Sequence, residues 1–206
     1  MSITIFTLIV LLFSIVIHEV AHGSVALHLG DPTAKYAGRL TLNPLKHLDP
    51  IGSVLLPLAL LLMTAGHGPI FGWAKPVPIN PFNFKDKKWG SLKVAISGPL
   101  VNFVLAVIFG LIIRFVSLSD TLLVLFSIIS IYNFLWGIFN LVPIPPLDGS
   151  HILFSFLPDG FGRLKFFLYQ YGFFILIFFI FMGGLSFLFL AANFLFYFVT
   201  GQSLGI

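Results

Sequence analysis

The chain has 206 residues, 58% of them hydrophobic and only 9% charged, with a mean hydropathy of +1.06. So apolar a composition exceeds what one water-exposed core can hide, which excludes an ordinary soluble domain and makes the lipid bilayer part of the solvent. The net charge of +4 comes without the basic runs or interleaved aromatics of a nucleic-acid binder, so no nucleic-acid partner is expected, and the absence of cysteine leaves any metal to His, Asp or Glu.

A spanning helix needs about 20 predominantly apolar residues. The first such stretch runs from about Ile3 to Leu29, stops at Gly30-Asp31-Pro32, and carries His18, Glu19 and His22. It has the apolarity of a signal-peptide core but neither a charged side chain before it nor a small-residue cleavage site after it, and it is read as retained helix. Tyr36 to Leu42 alternates briefly, which predicts a short β-hairpin, edge strand or re-entrant segment beside the membrane. Ile51 to Ala65 is short and contains Pro57, so a tilted, kinked or partly inserted segment is expected. Leu92 to Val116 includes Ser97-Gly98-Pro99 and Asn102, features tolerated at membrane depth only where other protein covers them.

The next span, from about Thr121 to Phe139, runs into Asn140-Leu141-Val142-Pro143-Ile144-Pro145-Pro146-Leu147-Asp148-Gly149. Its three prolines end the helix ahead of a short apolar piece, Ser150 to Leu157. Leu164 to Thr200 is too long for one untilted span, and Gly183-Gly184 marks either a kink or a hairpin turn. The pattern predicts an all-α polytopic membrane protein with about four to six transmembrane helices. Lys75, Lys85, Lys87, Lys88 and Lys93 place the loop between the second and third segments in the cytoplasm. Without tandem repeats or a flexible linker, residues 1–206 read as one transmembrane domain, with the metal-motif helix at about 3–29 and the third-ligand segment at about 140–157.

His18-Glu19-Val20-Ala21-His22 has the pattern H-E-x-x-H, whose helical spacing sets two imidazoles one turn apart on one face, able to share a metal. The glutamate between them is placed to accept a proton from an attacking water and deliver it to the leaving amine. The alternative, a mere hydrogen-bonded cluster between helices, is weakened by the roughly 2.5 kcal/mol or more that a carboxylate costs in a membrane helix. Glu19 is moreover the only glutamate in the chain. Catalytic zinc takes three protein ligands and keeps one position open. Asp31, Asp86, Asp120 and Asp159 read as solvated loop or helix-end residues; Asp49, in His47-Leu48-Asp49-Pro50, reads as a turn or cap. Asp148, beyond the proline break, is the better third ligand.

These residues resemble the site-2 protease family, polytopic zinc peptidases that cut substrates within or near the membrane. The resemblance is carried by HEVAH at His18 to His22, by Gly98-Pro99-Leu100-Val101-Asn102 as G-P-x-x-N, and by Asn140 through Asp148-Gly149 as N-x-x-P-x-x-x-L-D-G. Asn43-Pro44, His47 to Pro50 and Gly72 to Pro78 extend it to essentially the whole chain up to about Leu157. It implies one Zn2+ per chain held by His18, His22 and Asp148, with Glu19 as the base. It further implies that Asn102 lies near the metal, orienting substrate or steadying an oxyanion; an interhelical hydrogen bond is the competing role. Asn140 contacts substrate or satisfies carbonyls freed by the prolines, His151 is read as packed or interfacial, and Gly72 to Pro78 as a loop that contacts substrate or gates the site.

Implied partners are transmembrane protein or peptide substrates, and the implied location is a prokaryotic cell membrane. Many relatives carry an extra helix before the metal motif, or a PDZ or CBS domain; neither is seen, so a minimal core without regulation by an attached domain is expected. A metal or proton transporter, and a zinc-binding membrane protein without turnover, remain the rival classes.

Overall fold

A computed structural model describes residues 2–63 and 75–203. Helix α1 (Ile3–His28) begins where the Ser2 hydroxyl accepts the Ile5 N–H, and its 26 residues reach about 39 Å, more than the roughly 30 Å hydrocarbon core of a bilayer. It ends at Gly30, whose φ of +107° favours a residue without a side chain, with Gly30 N–H donating to Leu27 O and Asp31 N–H to Ala26 O. Helix α2 (Thr33–Tyr36) closes in the same way on Gly38, where Gly38 N–H donates to Lys35 O and Arg39 N–H to Ala34 O. The strand expected over Tyr36 to Leu42 is therefore corrected. Its first amides are spent inside a helix end, and among the described residues no sheet forms there.

A helical run over 50–63 follows, a wide turn Pro50–Leu55 leading into α3 (Leu56–Met63). Asp49 opens it by accepting from the N–H groups of Ile51 and Gly52 at 3.0 and 2.7 Å, so this carboxylate is a cap. At 1.5 Å per residue the run covers no more than about 21 Å, short of a full crossing. Ala65, His67 and the Gly72 to Ala74 part of the expected loop lie outside the described residues.

Helices α4 (Gly90–Phe115) and α5 (Asp120–Leu141) form the centre of the bundle, α1 packing on both. Small residues let helices approach: Ser130 of α5 donates to Ala106 O of α4 at 2.8 Å, and Gly110 of α4 leaves no room for a Cβ beside Val199 near the C-terminus. Pro99 does not break α4; it lies buried inside a continuous helix, where neighbouring helices cover the backbone it perturbs. Helix α6 (Asp148–Phe156) is short. Helices α7 (Gly162–Phe179) and α8 (Leu185–Thr200) meet at a kink where Gly183 has φ +88°. This kink, and not a hairpin, resolves the long C-terminal stretch, and α8 returns to α4 and α5 through Ala192 and Phe196. Arg114 donates to the last carbonyls of α8, at Phe198 and Val199. Among the described residues four stretches, Ile3–His28, Gly90–Phe115, Asp120–Leu141 and Gly162–Thr200, are long and apolar enough to cross a membrane, and their outward faces carry exposed apolar side chains such as Leu8, Ile108, Phe174 and Phe187. The chain is an all-α, multi-pass membrane protein.

The segment entering α4 is fastened to the end of α1 and to the loop that follows it. Lys75 N–H donates to His47 O, and Lys85 N–H to Leu29 O. Asp31, expected to be solvated, is instead fully buried at 0% exposure and accepts from Asn80 N–H, the Asn83 amide, and the N–H and hydroxyl of Thr33. Burial pushes its carboxyl up, but the Thr33 hydroxyl, Asn80 N–H and Asn83 amide outweigh that and hold it below the ordinary carboxylate value. A lowered folded-state value means stabilisation that is complete above about pH 4 and is lost as pH falls from there through the lower folded-state value. Asp31→Ala removes the buried acceptor of four hydrogen bonds from half-buried and exposed donors and is expected to lower stability by about 2 kcal/mol near neutral pH. Thermal unfolding in detergent from pH 7 to 3 should show its gap to wild type narrowing below about pH 4; a constant gap would assign the loss to packing alone.

Candidate metal centre

His18 and His22 lie on the buried face of α1, 3% and 6% exposed, their rings edge to face with centroids 4.6 Å apart. Asp148 reaches them because the chain reverses after α5. Leu147 N–H bonds to Ile144 O, Ser150 caps back onto Leu147 O, and Gly149 sits so close to Leu141 that a Cβ would be 2.2 Å from its carbonyl oxygen. The proline-rich turn thus folds α6 against the end of α5 and presents Asp148 from the first turn of α6. Asp148 Oδ2 lies 2.9 Å from His18 Nε2 and 3.1 Å from His22 Nε2, and the two Nε2 atoms are 3.0 Å apart.

Hydrogen bonding behind the rings decides which nitrogen carries each proton. His22 Nδ1 is 2.7 Å from Val94 O, a backbone carbonyl that can only accept, so Nδ1 holds the hydrogen. On the other ring, Asn102 Nδ2 donates to Ser14 O at 3.2 Å and to Asn133 Oδ1 at 2.9 Å, which turns Asn102 Oδ1 toward His18 Nδ1 at 2.7 Å. His18 therefore also carries its hydrogen on Nδ1. Both Nε2 atoms then face the same carboxylate oxygen, an arrangement that a cation among the three would satisfy.

Zinc fits that place. With bonds of about 2.0–2.1 Å in tetrahedral geometry, its ligand atoms stand about 3.3 Å apart, close to the separations found. Among the described residues this is the one group of His, Asp or Glu side chains able to converge on a metal. Gly98 keeps the place open, because a Cβ there would lie 2.4 Å from His22 Nε2 and 2.6 Å from His18 Nε2.

Glu19, beside the pair on α1, accepts the Val77 N–H through Oε2 at 2.8 Å and lines a cavity of about 390 Å³ with His18, His22 and Asp148. Pro76, Val77 and Ile79 form one wall, and Asn140, Pro146 and His151 another. Asn140, 8% exposed, donates to Trp136 O. His151, read as packed or interfacial, is exposed and lines the cavity, so it is not packed. Of the two roles weighed for Asn102, the geometry favours the interhelical hydrogen bond. Asn102 is fully buried behind His18, off the cavity wall, because its amide is consumed by the ring, Ser14 and Asn133. Sequence reasoning passed over Asn133 and the space at Gly98; an asparagine in the middle of an apolar span was the available signal for the first.

Residues 112–184 match the model of peptidase family M50, a segment that contains Asn140 and Asp148. YwhC of Bacillus subtilis (strain 168), assigned by name to the zinc metalloproteases, is 41% identical over 164 residues, covering 75% of this chain and 70% of that protein. The chain belongs to peptidase family M50. Shorter matches join it to other proteins named as zinc metalloproteases. MJ0392 of Methanocaldococcus jannaschii is 34% identical over 43% of this chain and 27% of its own length. Rip2 of Mycolicibacterium smegmatis is 35% identical over 67% of this chain and 52% of its own length. No solved structure matches. Membership in M50 makes the chain a zinc metallopeptidase and agrees with the donor set at the end of the cavity, two imidazoles and a carboxylate.

Proposed function

We propose that this M50 chain is an intramembrane endopeptidase that hydrolyses peptide bonds within or next to transmembrane segments of membrane proteins, in a prokaryotic cell membrane. His18, His22 and Asp148 hold one zinc, and Glu19 is the general base. The observation that carries this reading is the convergence of two Nε2 atoms and one carboxylate oxygen at about 3 Å, beside Glu19, in a cavity to which α1, α4 and α5 each contribute side chains.

Bound zinc supplies Lewis acidity that polarises a carbonyl and makes water nucleophilic near neutral pH. Glu19 takes the proton of the attacking water and passes it to the leaving amine, while the Val77 N–H holds one of its oxygens in place. Asn140 uses one amide hydrogen on Trp136 O and keeps a second for the substrate carbonyl, where it stabilises negative charge. A substrate helix must first unwind, since its carbonyls are otherwise engaged in intrahelical bonds.

The test is incubation of the purified chain in liposomes with a panel of single-span peptides, before and after metal stripping. Cleavage inside hydrophobic segments that chelation abolishes and zinc restores is expected. Cleavage that survives complete removal of metal, or that spares every membrane segment while cutting soluble peptides, would overturn the reading.

A further inference from the structure

His18 is supported by an amide that is itself supported by another. Asn102 is 0% exposed and Asn133 1% exposed, two carboxamides buried deep in an apolar bundle, and neither touches the cavity. An asparagine side chain is nearly symmetric in shape, so a half-turn exchanges its acceptor and donor at little steric cost. Were Asn102 reversed, its NH2 would face His18 Nδ1, the ring hydrogen would move to Nε2, and a proton would stand where a metal needs a lone pair.

The chain of hydrogen bonds permits one direction only. Asn133 Nδ2 donates to Ile129 O at 2.8 Å, which leaves Asn133 Oδ1 to accept from Asn102 Nδ2 at 2.9 Å, and Asn102 Oδ1 to accept from His18 Nδ1 at 2.7 Å. Ser14 O also accepts from Asn102 Nδ2, but at the longer distance of 3.2 Å. Asn133 is thus the stronger of the two constraints on Asn102.

We propose that Asn133 is a positioning residue for the metal centre: acting through Asn102, it fixes the hydrogen of His18 on Nδ1 and so keeps Nε2 available as a ligand. The proposal rests on the reading of His18, His22 and Asp148 as the zinc site. Supporting partners of this kind typically change metal affinity about 10–100-fold, and the present one lies on α5, a helix that contributes no metal ligand of its own.

Three variants test it, each followed by zinc affinity against a chromophoric chelator and by 15N NMR of the His18 ring in metal-free protein. Asn133→Leu keeps the volume and removes the acceptor; zinc affinity should fall about 10–100-fold and the His18 ring should shift toward the Nε2–H form. Asn133→Asp retains an oxygen toward Asn102, and as a neutral buried acid still donates to Ile129 O; affinity should stay within about threefold of wild type. Asn133→Ser is too short to reach Asn102 and should reproduce the leucine loss, which covers the case of a leucine variant that does not assemble. A purely structural role predicts the reverse order, with buried Asp worse than Leu. That order, or a wild-type ring state and affinity in both Leu and Ser, overturns the proposal. If wild-type protein takes up no zinc at all, the metal reading fails, while the ring state in metal-free protein still decides the role of Asn133.

Discussion

Glu19→Gln is expected to leave one zinc bound per chain and to slow peptide cleavage by about 10²–10⁴-fold, the range that a positioned general base contributes. The substitution keeps shape and one carbonyl oxygen, so the Val77 N–H that now reaches Glu19 Oε2 at 2.8 Å still has an acceptor, and the cavity wall at Pro76 to Ile79 stays in place. What disappears is basicity. His18, His22 and Asp148 are unchanged, and each ring is still held from behind by Asn102 or Val94. Turnover of a cleaved peptide with bound zinc measured on the same sample therefore separates three classes of protein. A protease loses cleavage and keeps zinc; a zinc-binding protein without turnover shows no cleavage in either form; a transporter keeps ion flux in the variant. Loss of zinc from Glu19→Gln would instead assign Glu19 to holding the site together.

Much of this arrangement was legible in the sequence, for physical reasons that also explain the exceptions. Spanning helices are written in long apolar runs, and a paired imidazole motif is meaningful at membrane depth because ionisable groups are costly there. Asp148 could be singled out because three prolines before it forbid helix, and the structure brings its carboxylate to the two imidazoles while Asp49 caps a turn. Tyr36 to Leu42 misled because a few alternating residues are weaker evidence than the glycine at position 38, which repeats the helix-ending role of Gly30. Asp31 misled because a Gly-Asp-Pro triplet signals a turn without saying what will pack over it; the loop that buries it comes from residues about fifty positions later. Asn102 was visible as a polar residue near the site, but whether its amide faces substrate or the back of a ligand depends on Ser14 and Asn133, on two other helices. Local composition reports burial and breaks; pairings between distant helices need the fold.

Gly98→Ala is expected to leave the helical bundle folded while lowering zinc affinity by more than about 10²-fold, beyond what loss of a supporting contact costs, because the added methyl acts on the ligands themselves. A Cβ at this position would lie 2.4 Å from His22 Nε2 and 2.6 Å from both His18 Nε2 and His22 Cε1, distances that real carbon atoms do not keep. Neither ring has room to retreat. His22 is tied through Nδ1 to Val94 O, one turn earlier on the same helix as Gly98, and His18 is tied to Asn102, one turn later. Relief must come from α4 moving away from α1 or from the imidazoles turning, and either spreads the three ligand atoms beyond the roughly 3.3 Å edges of a tetrahedral zinc site. The cost in stability should be about 1–3 kcal/mol, the usual range for overpacking. Gly137→Ala serves as the control: the nearest atoms to its Cβ would be those of the Phe103 ring, at 3.1 Å and beyond, and not the ligands, so zinc affinity should hold. Zinc titration and thermal unfolding of both variants make the comparison. Wild-type zinc affinity in Gly98→Ala would mean that the metal is held somewhere other than between His18, His22 and Asp148.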